Sequence, residues 1–136
     1  RGERMATVRI RVRVHPTENP STIDQAVRSI FPDAVLSFEH FYISGTASSL
    51  SRLTEIISNY RIRDSARAVL LRNVNGTTCR FHLSKQAATV GKASFTDGDS
   101  VLGDIEVTVD SENILSVIDS VARSTRLFKP AQETRE

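Results

Sequence analysis

A chain of 136 residues with 39% hydrophobic and 25% charged content is long enough for one domain with a real core, and its composition is that of an ordinary globular protein. Its net charge of +2, against a pI near 9.0, is below that of a dedicated nucleic-acid binder, so any such role must rest on a local patch. A single cysteine, Cys79, excludes an internal disulfide framework and a cysteine zinc site, and no apolar run approaches the roughly 18–20 residues of a membrane span.

The chain reads as an N-terminal extension, 1–5, one domain over 6–128, and a polar, flexible C-terminal tail, 129–136. No continuous apolar run follows Arg1-Gly2-Glu3-Arg4, which predicts a soluble, intracellular, cytoplasmic protein. The stretch from Thr7 to Val14 alternates without a break: Val8, Ile10, Val12 and Val14 on one side, Arg9, Arg11 and Arg13 on the other. A period of two predicts a strand with one buried and one wet face, the arginines following one another at roughly 6.5–7 Å. Asn19-Pro20 is a helix start, with Asn as cap and Pro at the first helical position. Ile23, Ala26, Val27, Ile30 and Phe31 then share one helix face, and Pro32 ends it.

Residues 34–44, rich in aromatic and β-branched side chains, predict one strand in which Phe38 or Tyr42 can face a partner. Leu50, Leu53, Ile56, Ile57 and Tyr60 predict an amphipathic helix. A further helix carries Ala66, Val69 and Leu70 inward, with arginines along its flanks, and ends at Asn75-Gly76. Thr78–Leu83 alternates, with Cys79, Phe81 and Leu83 inward and Arg80 and His82 outward. Lys85–Ala88 reads as a short connection, and Thr89–Phe95 as a strand bent or bulged at Gly91. Thr96–Ser100 is a polar loop. Ile105, Val107 and Val109 alternate with polar residues as the last strand, and Ser111 caps a final helix of Ile114, Leu115, Ile118, Val121 and Ala122. Strands grouped after helices predict an α+β fold: a mixed or antiparallel sheet of about five strands with about four helices, mainly on one face.

Five segments together resemble a known family: the opening Val8–Val14 with His15-Pro16-Thr17-Glu18, Ile30-Phe31-Pro32-Asp33, Ile62–Leu71, Leu83–Lys92, and Leu102-Gly103-Asp104-Ile105 with Val117-Ile118-Asp119. In this order, over about Met5 to Thr125, they are similar to the archaeal uncharacterised protein family two hundred and one. The resemblance implies a ribosomal-protein-L-five-like α+β fold, a dimeric assembly, and an RNA-binding role inferred from fold, which alone is weak warrant for function. It supplies no catalytic residues. The chain departs from the family pattern at Ala122-Arg123-Ser124-Thr125, where a Pro-Arg-Thr ending is expected.

The arginine row has three readings. With Arg80, His82 and Lys92 on the same wet face, Arg9, Arg11, Arg13, Arg80 and Lys92 form a candidate nucleic-acid site tracking a phosphate backbone. Alternatively Glu106, Asp104 or Glu39 neutralise the row across strands, or the face is half of a dimer interface. The predicted outward positions are Arg, Thr, His and Ser, without an aromatic, which leaves backbone or shape recognition rather than base stacking. Other features are bland. Gly91-Lys92 lacks the phosphate-loop pattern. Asp97, Asp99, Asp104 and Glu106 do not fit the calcium-loop spacing and read as a solvated turn. His15, His40 and His82 are scattered. Cys79 reads as a small buried hydrophobe, and Asn75-Gly76-Thr77 as a turn. No cofactor, metal set or catalytic residue is predicted. The preferred reading is a non-enzymatic homodimer resembling RNA-binding ribosomal proteins. The alternatives are an RNA-backbone binder, with RNA or a ribonucleoprotein as partner, and a small-molecule enzyme without a recognisable motif.

Overall fold

The strict alternation at the N-terminal end produces strand β1 (Thr7–Arg13), in which Val8, Ile10 and Val12 are buried and the three arginines exposed. The computed structural model describes residues 6–98 and 103–122; the predicted extension, the tail and the Ala122–Thr125 departure beyond Ala122 lie outside them. Helix α1 (Pro20–Ile30) starts as expected, with Asn19 Oδ1 accepting the Ser21 N–H at 2.9 Å and Pro20 at the first position. It buries Ile23, Ala26, Val27 and Ile30.

The segment expected to be one strand is a hairpin, β2 (Val35–Glu39) and β3 (Tyr42–Ala47). His40 and Phe41 form its turn at φ 54° and 64°. Both central residues at positive φ match the right-handed twist of flanking strands. Here they are neither Gly nor Asn, so the turn has no signature in the sequence.

Helix α2 (Ser51–Asn59) buries Leu53, Ile56 and Ile57, while Tyr60, expected inward, is exposed. Helix α3 (Arg63–Arg72) buries Ala66 and Leu70 and is tied to the last helix by Arg67 and Asp119. A two-residue strand, β4 (Val74–Asn75), turns at Gly76 (φ +66°) into β5 (Thr78–Leu83), whose inward set is the predicted one. The next expectation fails. Lys85–Thr89 is helix α4, started by Ser84, whose Oγ accepts the Ala87 N–H at 3.3 Å. Gly91, at φ +75°, closes that helix rather than bulging a strand. Only Phe95–Thr96 pairs, as β6. Strand β7 (Ile105–Asp110) leads to helix α5 (Ile114–Val121), whose N-cap position is Asn113 rather than Ser111. Ser111 Oγ instead accepts the Asn113 N–H at 3.2 Å, and Leu115 faces solvent because Ile114, Ile118 and Val121 take the buried stripe.

The fold is α+β, and among the described residues seven strands pair antiparallel throughout in the order β2-β3-β1-β7-β5-β4, with β6 also on β5. Helices α1 to α5 all contribute to one buried cluster with the inward residues of β1, β3, β5 and β7. Among the described residues no helix covers the opposite face, which carries Arg9, Arg11 and Arg13. No helix among the described residues is long and apolar enough to cross a membrane.

Gly45 marks a close approach of β3 to β2. It sits on the core side of β3, and a Cβ there would lie 1.9 Å from the Val35 carbonyl oxygen. That oxygen is backbone and has no rotamer to yield. Gly45→Ala is expected to cost about 1–3 kcal/mol or more, read as a lower urea midpoint; an unchanged midpoint would show that the hairpin can shift freely.

Candidate nucleic-acid interface

The open face is built by register. Opposite Arg9 stand Thr46 on β3 and Thr108 on β7; opposite Arg11 stand Ser44 and Glu106; opposite Arg13 stands Tyr42. β7 is shared with β5, which sets Arg80 beside Thr108 and His82 beside Glu106. One cross-strand row therefore reads Thr46, Arg9, Thr108, Arg80, and the next reads Ser44, Arg11, Glu106, His82, Thr96. Thr108 is only 7% exposed although it faces outward. Its neighbours in the row are arginines, whose aliphatic stems lie along a sheet and cover what is between them.

The expected neutralisation of the row does not occur. Among the described residues, the ion pairs involve none of Arg9, Arg11 and Arg13. Glu106 lies across from Arg11, yet its Oε2 is 3.5 Å from Arg80 Nε. Asp104 Oδ2 accepts the Thr96 hydroxyl at 2.8 Å, and Glu39 sits on the outermost strand opposite Tyr42. Arg11 stacks instead, its guanidinium carbon 4.0 Å from the centre of the Tyr42 ring. This cation–π contact keeps the charge while fixing the plane of the fork. Tyr42 corrects the expectation that the wet face has no aromatic. Its side was hidden because the hairpin turn sets the register of β3.

Of the five candidate site residues, the structure brings together Arg9, Arg11, Arg13 and Arg80. Lys92 is a correction. It follows α4 rather than lying in a strand, and its Nζ is 5.5 Å from the Tyr60 ring at the end of α2, in the helical layer. His82 joins the face but is half-buried, with Gly98 packed against its ring. Cys79 is buried and its thiol donates to the Leu70 carbonyl at 3.3 Å; burial pushes its pKa up to about 11, so it is not a thiolate at neutral pH. No group of three His, Cys, Asp or Glu able to hold a metal occurs among the described residues.

The missed part of the site lies where β5 meets its short partners. β4 pairs only with Thr78 and Cys79, and β6 only with His82 and Leu83, so Arg80 and Phe81 face a gap in the outer edge. A cleft of about 760 Å³ opens there, with Arg72, Asn73, Arg80, His82 and Phe95 among its walls. No local pattern announces it, because α3, β4, β5 and β6 each supply a part.

An antiparallel sheet covered by helices on one face, with a row of exposed arginines on the other, defines the class: an open-faced α+β protein. A family model described as RNA binding matches residues 7–111. The chain is 37% identical over 129 residues to a UPF0200/UPF0201 protein of Archaeoglobus fulgidus, covering 93% of this chain but only 40% of that longer relative. It is 32% identical to a UPF0201 protein of Methanothermobacter thermautotrophicus, covering 87% of this chain and 92% of the relative. A crystal structure of an uncharacterised UPF0201 protein superposes with a TM-score of 0.83 at 36% identity, over 88% of this chain and 95% of that one. This chain belongs to the UPF0201 family.

Proposed function

We propose that this protein is a cytoplasmic, non-enzymatic module that binds structured RNA through the open face of its sheet. The observation that carries the reading is the row Arg9, Arg11, Arg13, which has no carboxylate partner among the described residues and stands in register with Arg80 one strand beyond β7. Guanidinium forks take phosphate oxygens bidentately, and a line of them follows a backbone without reading bases. The family model described as RNA binding supports the same reading. The test is a titration of a labelled RNA hairpin across a range of salt concentrations. Affinity should fall linearly with salt on a log–log plot, the signature of counterion release. Binding no tighter than about 10⁻⁴ M at physiological salt, the edge of ordinary non-specific association, would sink the reading.

The resemblance implies a dimeric assembly, which adds a second reading, that two copies associate, and the outer edge of the sheet favours it. β2 is the terminal strand, with Phe38 (50% exposed) on the helix-bearing side in register with Ile43, Phe41 (57%) in its turn, and Val35 (74%) on the open side in register with Thr46. An open edge with apolar side chains invites pairing with another chain. Phe38→Lys should convert a dimer into a monomer in sedimentation at protein concentrations where the native chain is dimeric. A native chain that sediments as a monomer at high concentration would remove this reading.

A further inference from the structure

We propose that the cleft between β4 and β6 takes one unpaired nucleotide of the RNA whose backbone lies on the arginine row. The inference rests on the RNA-binding reading and deepens it. The cleft and the row share Arg80, so a strand following Arg9 and Arg80 across the sheet arrives at the cleft mouth. The volume of about 760 Å³ is in the range of small-ligand sites and is ample for one nucleotide.

Its walls divide by chemistry in the way a nucleotide does. Arg72, the last residue of α3, and Arg80 supply two guanidinium groups for a phosphate. Among the described residues Arg80 is held by a 3.5 Å contact to Glu106 with its side chain 61% exposed, a pair weak enough to exchange its carboxylate for a phosphate. Phe95 is half-buried, braced against Phe81 with ring centres 5.6 Å apart, and offers a fixed aromatic surface to a base. Asn73, Asn75, Thr78, His82 and Thr96 supply donors and acceptors for base and sugar. The gap contributes backbone as well. Consecutive residues of a strand direct their N–H and C=O to opposite sides, so one of Arg80 and Phe81 points both groups into the notch, away from β7. A single-stranded base can use them on its exposed edge, whereas a paired base cannot. Asp97, also in the lining, disfavours a second phosphate and suits a single nucleotide better than a continuous strand.

The experiment compares two RNA hairpins, identical but for a one-nucleotide bulge, with AMP as a third probe, on the native chain and on the Arg72→Gln and Phe95→Leu variants. Phe95→Leu keeps an apolar contact to Phe81, Arg72 is exposed, and a thermal melt checks that both variants fold. The native chain should prefer the bulged hairpin roughly tenfold, the size of a base–aromatic contact. Each variant should lose that preference while keeping its affinity for the fully paired hairpin. Equal affinity of the native chain for both hairpins, with salt-dependent binding retained, would overturn the cleft and leave the arginine face standing. Failure to bind either hairpin would overturn both. Tight AMP binding without any bulge preference would assign the cleft to a free nucleotide and overturn the RNA form.

Discussion

Replacing Arg9, Arg11 and Arg13 together by Gln should weaken binding to an RNA hairpin by roughly a hundredfold near physiological salt and flatten the log–log salt slope by about two to three units. The size follows from counterion release. Each phosphate contact contributes about 0.7–0.9 to the slope, and three of them near 0.15 M salt amount to about two decades of affinity. The same variant separates function from structure. All three side chains are exposed, and none forms an ion pair among the described residues. Their removal should therefore change folding stability by no more than about 1 kcal/mol, the lost Arg11–Tyr42 stacking set against relief of like-charge repulsion along the strand. Affinity and slope that do not move would dismiss the face as the binding surface. A clear fall in the melting temperature would show that the row holds the sheet together.

Lys85→Met should have the opposite profile, a large loss of stability with no direct effect on the open face. The Lys85 side chain is 7% exposed. Its ammonium donates to the Arg13 carbonyl at 2.5 Å and to Glu18 Oε1 at 3.0 Å, and the same carboxylate oxygen accepts the His15 N–H at 2.8 Å. One buried cation thus fastens the end of β1, the loop before α1 and the start of α4. Removing it leaves a carboxylate that is 14% exposed without that partner, a change that costs about 3–5 kcal/mol. Against a total of about 5–15 kcal/mol this is a substantial fraction, and the melting temperature should fall by roughly 10–20 °C.

The loss should depend on pH. Burial works to raise the pKa of Glu18, but the His15 N–H and the hydrogen bond and charge of Lys85 outweigh it, and the native carboxyl lies below its ordinary 4.5. A depressed carboxylate stabilises the fold above pH 4.5 and ceases to do so as pH falls through the native value. Without Lys85, burial remains and two lowering influences are gone, so the Glu18 pKa rises in the variant. The gap between native and variant stability should be full at pH 7 and shrink in denaturant titrations as pH falls through the variant's raised Glu18 value and then the native one, which lies below 4.5. A gap of constant size would mean that Glu18 is not what Lys85 secures.

Much of the secondary structure is legible in particular residues. Period two at Val8–Val14, at Cys79–Leu83 and at Ile105–Val109 placed the right side chains in the core, and Asn19-Pro20 marked the start of α1 where it occurs. The failures have local causes. At His40-Phe41 the chain adopts a glycine-like turn without glycine, so a hairpin read as one strand and Tyr42 lost its side. At Ser84–Gly91 a capped five-residue helix takes the place of the expected connection over Lys85–Ala88 and of the start of the expected strand Thr89–Phe95, which carried Lys92 away from the sheet.

The inward residues of β1, β5, β7 and α1 follow from local order alone, because strand and helix periods are local properties of the chain. So does the sharing of one wet face by three arginines. What those arginines mean was decided by tertiary structure. Strand order is a non-local choice, and a one-residue slip in register sends a side chain to the other face. With β7 between β1 and β5, Glu106 comes opposite Arg11 but engages Arg80, Tyr42 stacks on Arg11, and the β1 row keeps its charge. The notch at Arg80–Phe81 likewise exists only because two short strands pair with the two ends of β5 and leave its middle uncovered.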